Sequence, residues 1–208
     1  MLHSDARFIE AVTSTVAELE RETAAEIVVV SAARSARYTH AAIFMGAAIA
    51  WLAVAGSVLA GRTLSAEWLL IELPIVGLLV FWWVQRSPAI LRHLLSQHRK
   101  NVTVKRAAAA AFTEELVHGT RERTGLLVYV SGLEQKVFLV PDGGIEAVVP
   151  PGEWDTLPWC HREGGQAPRE LDAFLDGLRQ VGACLARHLP AKDNDNPDEL
   201  CNAPRVRP

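Results

Sequence analysis

Cysteine is scarce in this 208-residue chain, and the three present, Cys160, Cys184 and Cys201, are odd in number and irregular in spacing. That pattern argues against a disulfide framework and fits a reducing compartment. Cys160, His161 and Cys184 also lack the paired spacing of a zinc site. Basic charge is not in excess: 21 Lys and Arg stand against 24 Asp and Glu, a net charge of −3. Bulk electrostatics therefore predict no nucleic-acid partner. Gly143-Gly144 and Gly164-Gly165 match neither the Walker nor the dinucleotide-binding pattern, so no phosphate-cradling loop is expected. Adjacent Cys160 and His161 make a poor nucleophile–base pair, because neighbouring side chains point apart in a strand and nothing nearby orients the imidazole. No signal peptide precedes the first apolar segment, since residues 1–38 are polar or amphipathic. The expectation that follows is a cytoplasmic N-terminal side.

What the chain does contain is a long uncharged run. Ala41 to Ala60, AAIFMGAAIAWLAVAGSVLA, carries no ionisable side chain, and as a helix it covers roughly 30 Å, the thickness of a hydrocarbon core. A second apolar segment, Trp68 to Val84, includes Glu72 and Pro74 and spans about 25 Å if helical. Together, over residues 39–86, they predict a transmembrane helical hairpin. Trp68, Trp82 and Trp83 stand at segment ends, where indoles favour the lipid–water boundary. Arg34 and Arg37 precede the hairpin, and Arg86, Arg92, Arg99, Lys100, Lys105 and Arg106 follow it; the connecting loop has Arg62 alone, opposed by Glu67. The positive-inside rule then places both termini in the cytoplasm, as a multi-pass protein of the bacterial inner membrane. A hairpin buried in a soluble protein is the competing reading, but about 160 remaining residues could not cover two helices that are apolar all round. Glu72 lies about one turn inside the outer boundary, within reach of headgroups. Gly46, Ala50, Ala53 and Gly56 offer a small-residue face through which copies could pack.

Outside the hairpin the pattern is α/β. Ser4 to Thr23 predicts an amphipathic helix with Ser4 as cap and a stripe of Phe8, Ile9, Val12, Val16 and Leu19. Glu26 to Ser31, Gly125 to Ser131 and Gln135 to Pro141 read as strands, the last two as an antiparallel hairpin across Gly132-Leu133-Glu134. Ile145 to Val149 suggests a fourth strand after a turn at Asp142-Gly143-Gly144. Ser87-Pro88 suits a helix start, Asn101 a break, and Lys105 to His118 a further helix closed by Gly119. Trp154 and Trp159 are core anchors within a loop-rich stretch, and Arg169 to Leu189 is the last helix, stopped by Pro190. The polar, proline-bearing tail 191–208 is expected to be disordered. The domain plan is thus one discontinuous cytoplasmic domain, 1–38 plus 87–190, interrupted by the hairpin at 39–86.

The order of these segments resembles the TPM-domain family, in its bacterial membrane form with a transmembrane hairpin inserted in the domain. The residues that carry the resemblance are Thr23-Ala24-Ala25-Glu26-Ile27-Val28-Val29-Val30, Arg106-Ala107 leading to Phe112, and Thr120 to Leu127. Val130-Ser131-Gly132-Leu133-Glu134, Asp142 to Ile145, Trp154 and Leu189-Pro190 complete it. The resemblance implies a small mixed sheet with helices on both faces. It also implies either acid-phosphatase activity, calcium binding, or a part in assembling membrane complexes. This chain departs from the family at Ser35-Ala36-Arg37-Tyr38, where relatives carry an aspartate, and at Pro141-Asp142-Gly143-Gly144, which thins the acidic cluster to Asp142.

Asp142 is accordingly the leading candidate carboxylate, with Glu146 and Asp155 as companions, because calcium or another hard divalent cation needs several oxygen ligands. An aspartate before glycine also simply makes a turn. Otherwise no cofactor is expected. The reading that follows is a membrane-anchored, non-enzymatic interaction or assembly domain whose partners are the bilayer and a membrane or cytoplasmic protein. The alternative is a metal-dependent phosphatase.

Overall fold

The computed structural model describes residues 5–61, 65–159, 164–191 and 199–207, and of 66–69 the backbone alone. Two compact units emerge, Met1–Ala36 with Gln97–Pro208, and Arg37–Ser96. The first unit draws its chain from both sides of the second.

The first unit is built on a five-stranded sheet of order β4-β3-β2-β1-β5. Its strands are β1 (Glu26–Ala32), β2 (Gly125–Ser131), β3 (Lys136–Pro141), β4 (Gly165–Gln166) and β5 (Arg205–Arg207). β1 runs parallel to β2, with Val28 opposite Leu127, and parallel to β5; β3 is antiparallel to β2 and to β4. β1 and β2 are buried along their whole length, as continuous apolar runs must be when both sheet faces are covered.

Alternation along each strand decides which side chain meets which layer. Ile27, Val29, Leu126, Val128 and Leu139 face α1 (Ala6–Leu19) and α8 (Leu171–His188); Val28, Val30, Leu127, Tyr129 and Phe138 face α5 (Gln97–Glu114). The result is a mixed α/β fold with helices on both faces. α1 contributes Phe8, Val12, Val16 and Leu19, while Ile9 lies outward. Trp159 stacks on Phe174 with ring centroids 5.1 Å apart; Trp154 is equally buried, so both indoles anchor the segment before α8 as expected. Thr23 donates from Oγ1 to the carbonyl of Leu189 at 2.7 Å, tying the entry to β1 to the end of α8.

Four sequence expectations are corrected here. Ile145 to Val149 is not a strand: Gly143–Val148 is helix α6, because Asp142 caps it through Gly143 N at 2.7 Å and so overrides the β-branched character of the segment. The tail is ordered over 199–207. There β5 lines the free edge of β1, and Arg207 pairs with Glu114 and Glu115, each at 2.6 Å, with Arg205 on Glu115 at 3.0 Å. The helical break falls at Leu95-Ser96 between α4 (Pro88–Leu94) and α5, not at Asn101, which lies inside α5. Residues 87–96 group with the apolar unit rather than with the sheet. Ser4 and residues 192–198 lie outside the described residues; the residue at the N-cap of α1 is Asp5.

The second unit holds α2 (Thr39–Leu59), α3 (Ala66–Arg86) and α4. α2 and α3 double back on each other. A Cβ on Gly46 would sit 2.8 Å from the carbonyl oxygen of Gly77, so only glycine permits the approach. In α2 only Ala42 and Gly46 are buried, while Phe44, Trp51, Leu52 and Leu59 are exposed. Among the described residues α2 alone is one helix long and apolar enough to cross a membrane. A second such length arises only when Leu70–Arg86 and Pro88–Leu94 are joined, and these are bent by 96°.

Candidate functional site

Asp142 follows the last residue of β3 and precedes α6, where its backbone N–H donates to the carbonyl of Gly125 at 2.9 Å. Its carboxylate is 3% exposed and meets Arg123: Nη2 donates to Oδ1 at 2.8 Å, Nε to Oδ2 at 3.4 Å. Arg123 holds a left-handed backbone, φ 57°, which brings its carbonyl to Gly144. A Cβ on Gly144 would lie 2.6 Å from that oxygen, so the second glycine of Asp-Gly-Gly is required by close approach. Both carboxylate oxygens are therefore committed to capping and to an ion pair. Glu146 is exposed on α6, and Asp155 is exposed on α7 (Pro151–Thr156). The three predicted ligands are not brought together as a cation-binding group among the described residues.

A second polar cluster lies at the C-terminal ends of β1 and β2, the end at which parallel strands commonly present ligand sites. Ser35 Oγ donates to Ser131 Oγ at 2.8 Å and lies 3.4 Å from the Tyr129 hydroxyl. Ser131 Oγ donates in turn to the buried carboxylate of Glu134, which also accepts from the Ser35 backbone N–H at 3.3 Å. Burial pushes the Tyr129 phenol above its usual range, against the hydrogen bond from Ser35. Glu134 comes from the turn between β2 and β3, so the cluster ties that turn to the segment after β1.

The third cluster joins α7 to α8. Cys184 and His188 stand four residues apart on α8, hence on one helix face. Glu153, next to the buried Trp154, projects from α7 between them: its Oε2 accepts from Cys184 Sγ at 3.8 Å and from Arg187 Nη2 at 3.0 Å, and its Oε1 lies 3.9 Å from His188 Nε2. Among the described residues this is the group of three acid, thiol and imidazole side chains able to share a metal ion, its ligand atoms all within 4.8 Å of one another. Burial, then the Glu153 carboxylate, pushes the Cys184 thiol up, with Arg187 opposing. Cys160 and His161, weighed in the sequence with Cys184, lie outside the described residues. The spacing Cys184-x-x-x-His188 was visible in the sequence; the acid that completes it comes from a different element.

The fold has a likeness among solved structures. The chain is similar to the BA42 protein from the psychrophilic bacterium Bizionia argentinensis, solved by NMR, with a TM-score of 0.52 and 17% identity over 97% of this chain and 93% of that one. No family model matches the sequence, and no curated protein matches it. At that identity the likeness bears on the fold alone: the mixed α/β arrangement has a counterpart among solved structures.

Proposed function

We propose that this chain is a TPM-type α/β domain anchored in a bacterial inner membrane by a hairpin of α2 and α3. On this reading its termini are cytoplasmic, and it serves as a non-enzymatic interaction or assembly module for another membrane or cytoplasmic protein. The observation that carries the reading is the contrast between the two units. The sheet-bearing unit covers both faces of its sheet with its own helices, whereas α2 presents 21 residues without Asp, Glu, Lys or Arg and buries only two of them. A surface of that kind in water is a strong liability, and in lipid it costs nothing. Trp82 and Trp83, exposed near the end of α3 with Arg86 5.4 Å over the Trp82 ring, suit the headgroup boundary. Glu72 is exposed on α3, in keeping with a boundary role rather than conduction. Gly46 serves the approach of α3 to α2, while Ala53 and Gly56 stay exposed and offer the surface for a second copy.

The alternative, a metal-dependent phosphatase, needs convergent carboxylates with open oxygens, and Asp142 has given both of its oxygens to Arg123 and the α6 cap. Purified protein should therefore not turn over a generic phosphate ester with calcium, magnesium or manganese. Turnover that Asp142→Ala abolishes would establish the phosphatase instead. Crosslinking in native membranes, followed by identification of what is joined to the chain, tests the assembly role. A specific protein neighbour captured through the α/β domain supports it, and recovery of the chain uncoupled to any protein counts against it.

A further inference from the structure

We propose that Glu153, Cys184 and His188 form a binding site for a divalent transition metal of the zinc class. Two independent observations point to a ligand. The first is geometric. Tetrahedral zinc with bonds of about 2.0 Å to nitrogen and oxygen and about 2.3 Å to sulfur separates its ligand atoms by about 3.3 Å for N–O and about 3.5 Å for S–O. The pairs here stand at 3.9 Å for His188 Nε2 to Glu153 Oε1 and 3.8 Å for Cys184 Sγ to Glu153 Oε2. The two distances run to the two oxygens of one carboxylate, and with one ligand atom from each residue the three lie within 4.8 Å of one another, a separation that side-chain torsions can close. The second is a polar atom without a partner: His188 Nε2 is buried, directed at this cluster, and makes no hydrogen bond. Leaving an unexposed imidazole nitrogen unsatisfied is unfavourable, and a metal at the centre of the group removes that cost.

The donor set selects the metal. One thiolate, one imidazole and one carboxylate favour zinc or its neighbours over calcium or magnesium, which take oxygen ligands. Three protein ligands leave a fourth position for water or for a group from a partner. The scaffold is firm where it matters. Cys184 is 1% exposed in the main core, and Trp154 fixes the start of Glu153 against the same core. Arg187 pairs with Glu153 Oε2 and so holds the carboxylate in place between Cys184 and His188. In the metal-free state the thiol keeps its proton and donates to Glu153; binding releases that proton to solvent as the thiolate forms its bond to the metal.

The test uses the full-length protein in detergent with Cys160→Ala and Cys201→Ala, which leaves Cys184 as the sole thiol. Cobalt(II) should bind at one equivalent with a thiolate-to-cobalt charge-transfer band, and zinc should displace it. His188→Gln and Glu153→Gln should each weaken cobalt binding by more than roughly 100-fold, since even outer-shell partners are worth 10–100-fold. Far-ultraviolet circular dichroism of each variant checks that α8 remains folded. Absence of the band at saturating cobalt, or unchanged affinity in folded His188→Gln and Glu153→Gln, would overturn the proposal.

Discussion

Asp142 shows how a residue that looks like a ligand is spent on structure. It caps α6 and neutralises Arg123, so Asp142→Ala removes a cap worth about 1 kcal/mol and a charge-assisted hydrogen bond worth about 1.5–3 kcal/mol. Arg123 is 65% exposed, and water reaches the carboxylate once the guanidinium is gone, so Arg123→Ala should cost only about 1–2 kcal/mol. Urea unfolding should rank the two variants in that order; equal, negligible losses would mean that Asp142 is free for other chemistry. Tyr129 offers a pH-dependent counterpart. Its folded-state pKa is raised by burial, so the native state holds the phenol proton more tightly than the unfolded chain does. Its contribution is complete below about pH 10, the unfolded value, and is lost as pH rises through the folded value. Stability should therefore decline above about pH 10, and Tyr129→Phe should flatten that decline in a series of denaturation curves. A decline unchanged by Tyr129→Phe would assign it to other groups.

At the scale of elements, what the sequence made legible follows from how local each signal is. Continuous β-branched runs announce β1, β2 and β3, and the helical spacing of Phe174, Leu178 and Leu185 announces α8, because those patterns are written within one segment. α6 was hidden, since Ile145, Val148 and Val149 favour strand locally and only the Asp142 cap turns them into helix. β5 was hidden for the opposite reason. Arg-Val-Arg carries no periodicity, and its place depends on Glu114 and Glu115 some ninety residues earlier. Separation in sequence also concealed the candidate sites: Arg123 stands 19 residues from Asp142 and Glu153 31 residues from Cys184. β5 also carries a consequence. It covers Val30, Ser31 and Ala32 on the outer edge of β1, and an uncovered edge invites pairing between chains. Truncation after residue 198 should lower stability and raise self-association in light scattering; a truncated chain as monodisperse and stable as the full one would show that β5 is dispensable.

Over the whole molecule, the apolar unit occupies a telling position in the chain. β1 and β2 are parallel neighbours, so the segment between them must cross over, and α5 against the sheet is the helix that makes the crossover. Residues 37–96 are inserted between β1 and that helix. On the proposed reading, a single α/β domain carries its membrane anchor inside its own crossover, which requires both flanks of the insertion to lie on one side of the bilayer. Site-directed labelling tests that requirement most directly. In a chain whose own cysteines are replaced, a cysteine at Ser65, in the α2–α3 connection, should react with an impermeant thiol reagent added to intact cells. Cysteines at Ser14 on α1 and Thr113 on α5, both at exposed positions, should react only after the membrane is opened. Labelling of Ser14→Cys or Thr113→Cys from outside, or protection of Ser65→Cys, would contradict the hairpin anchor.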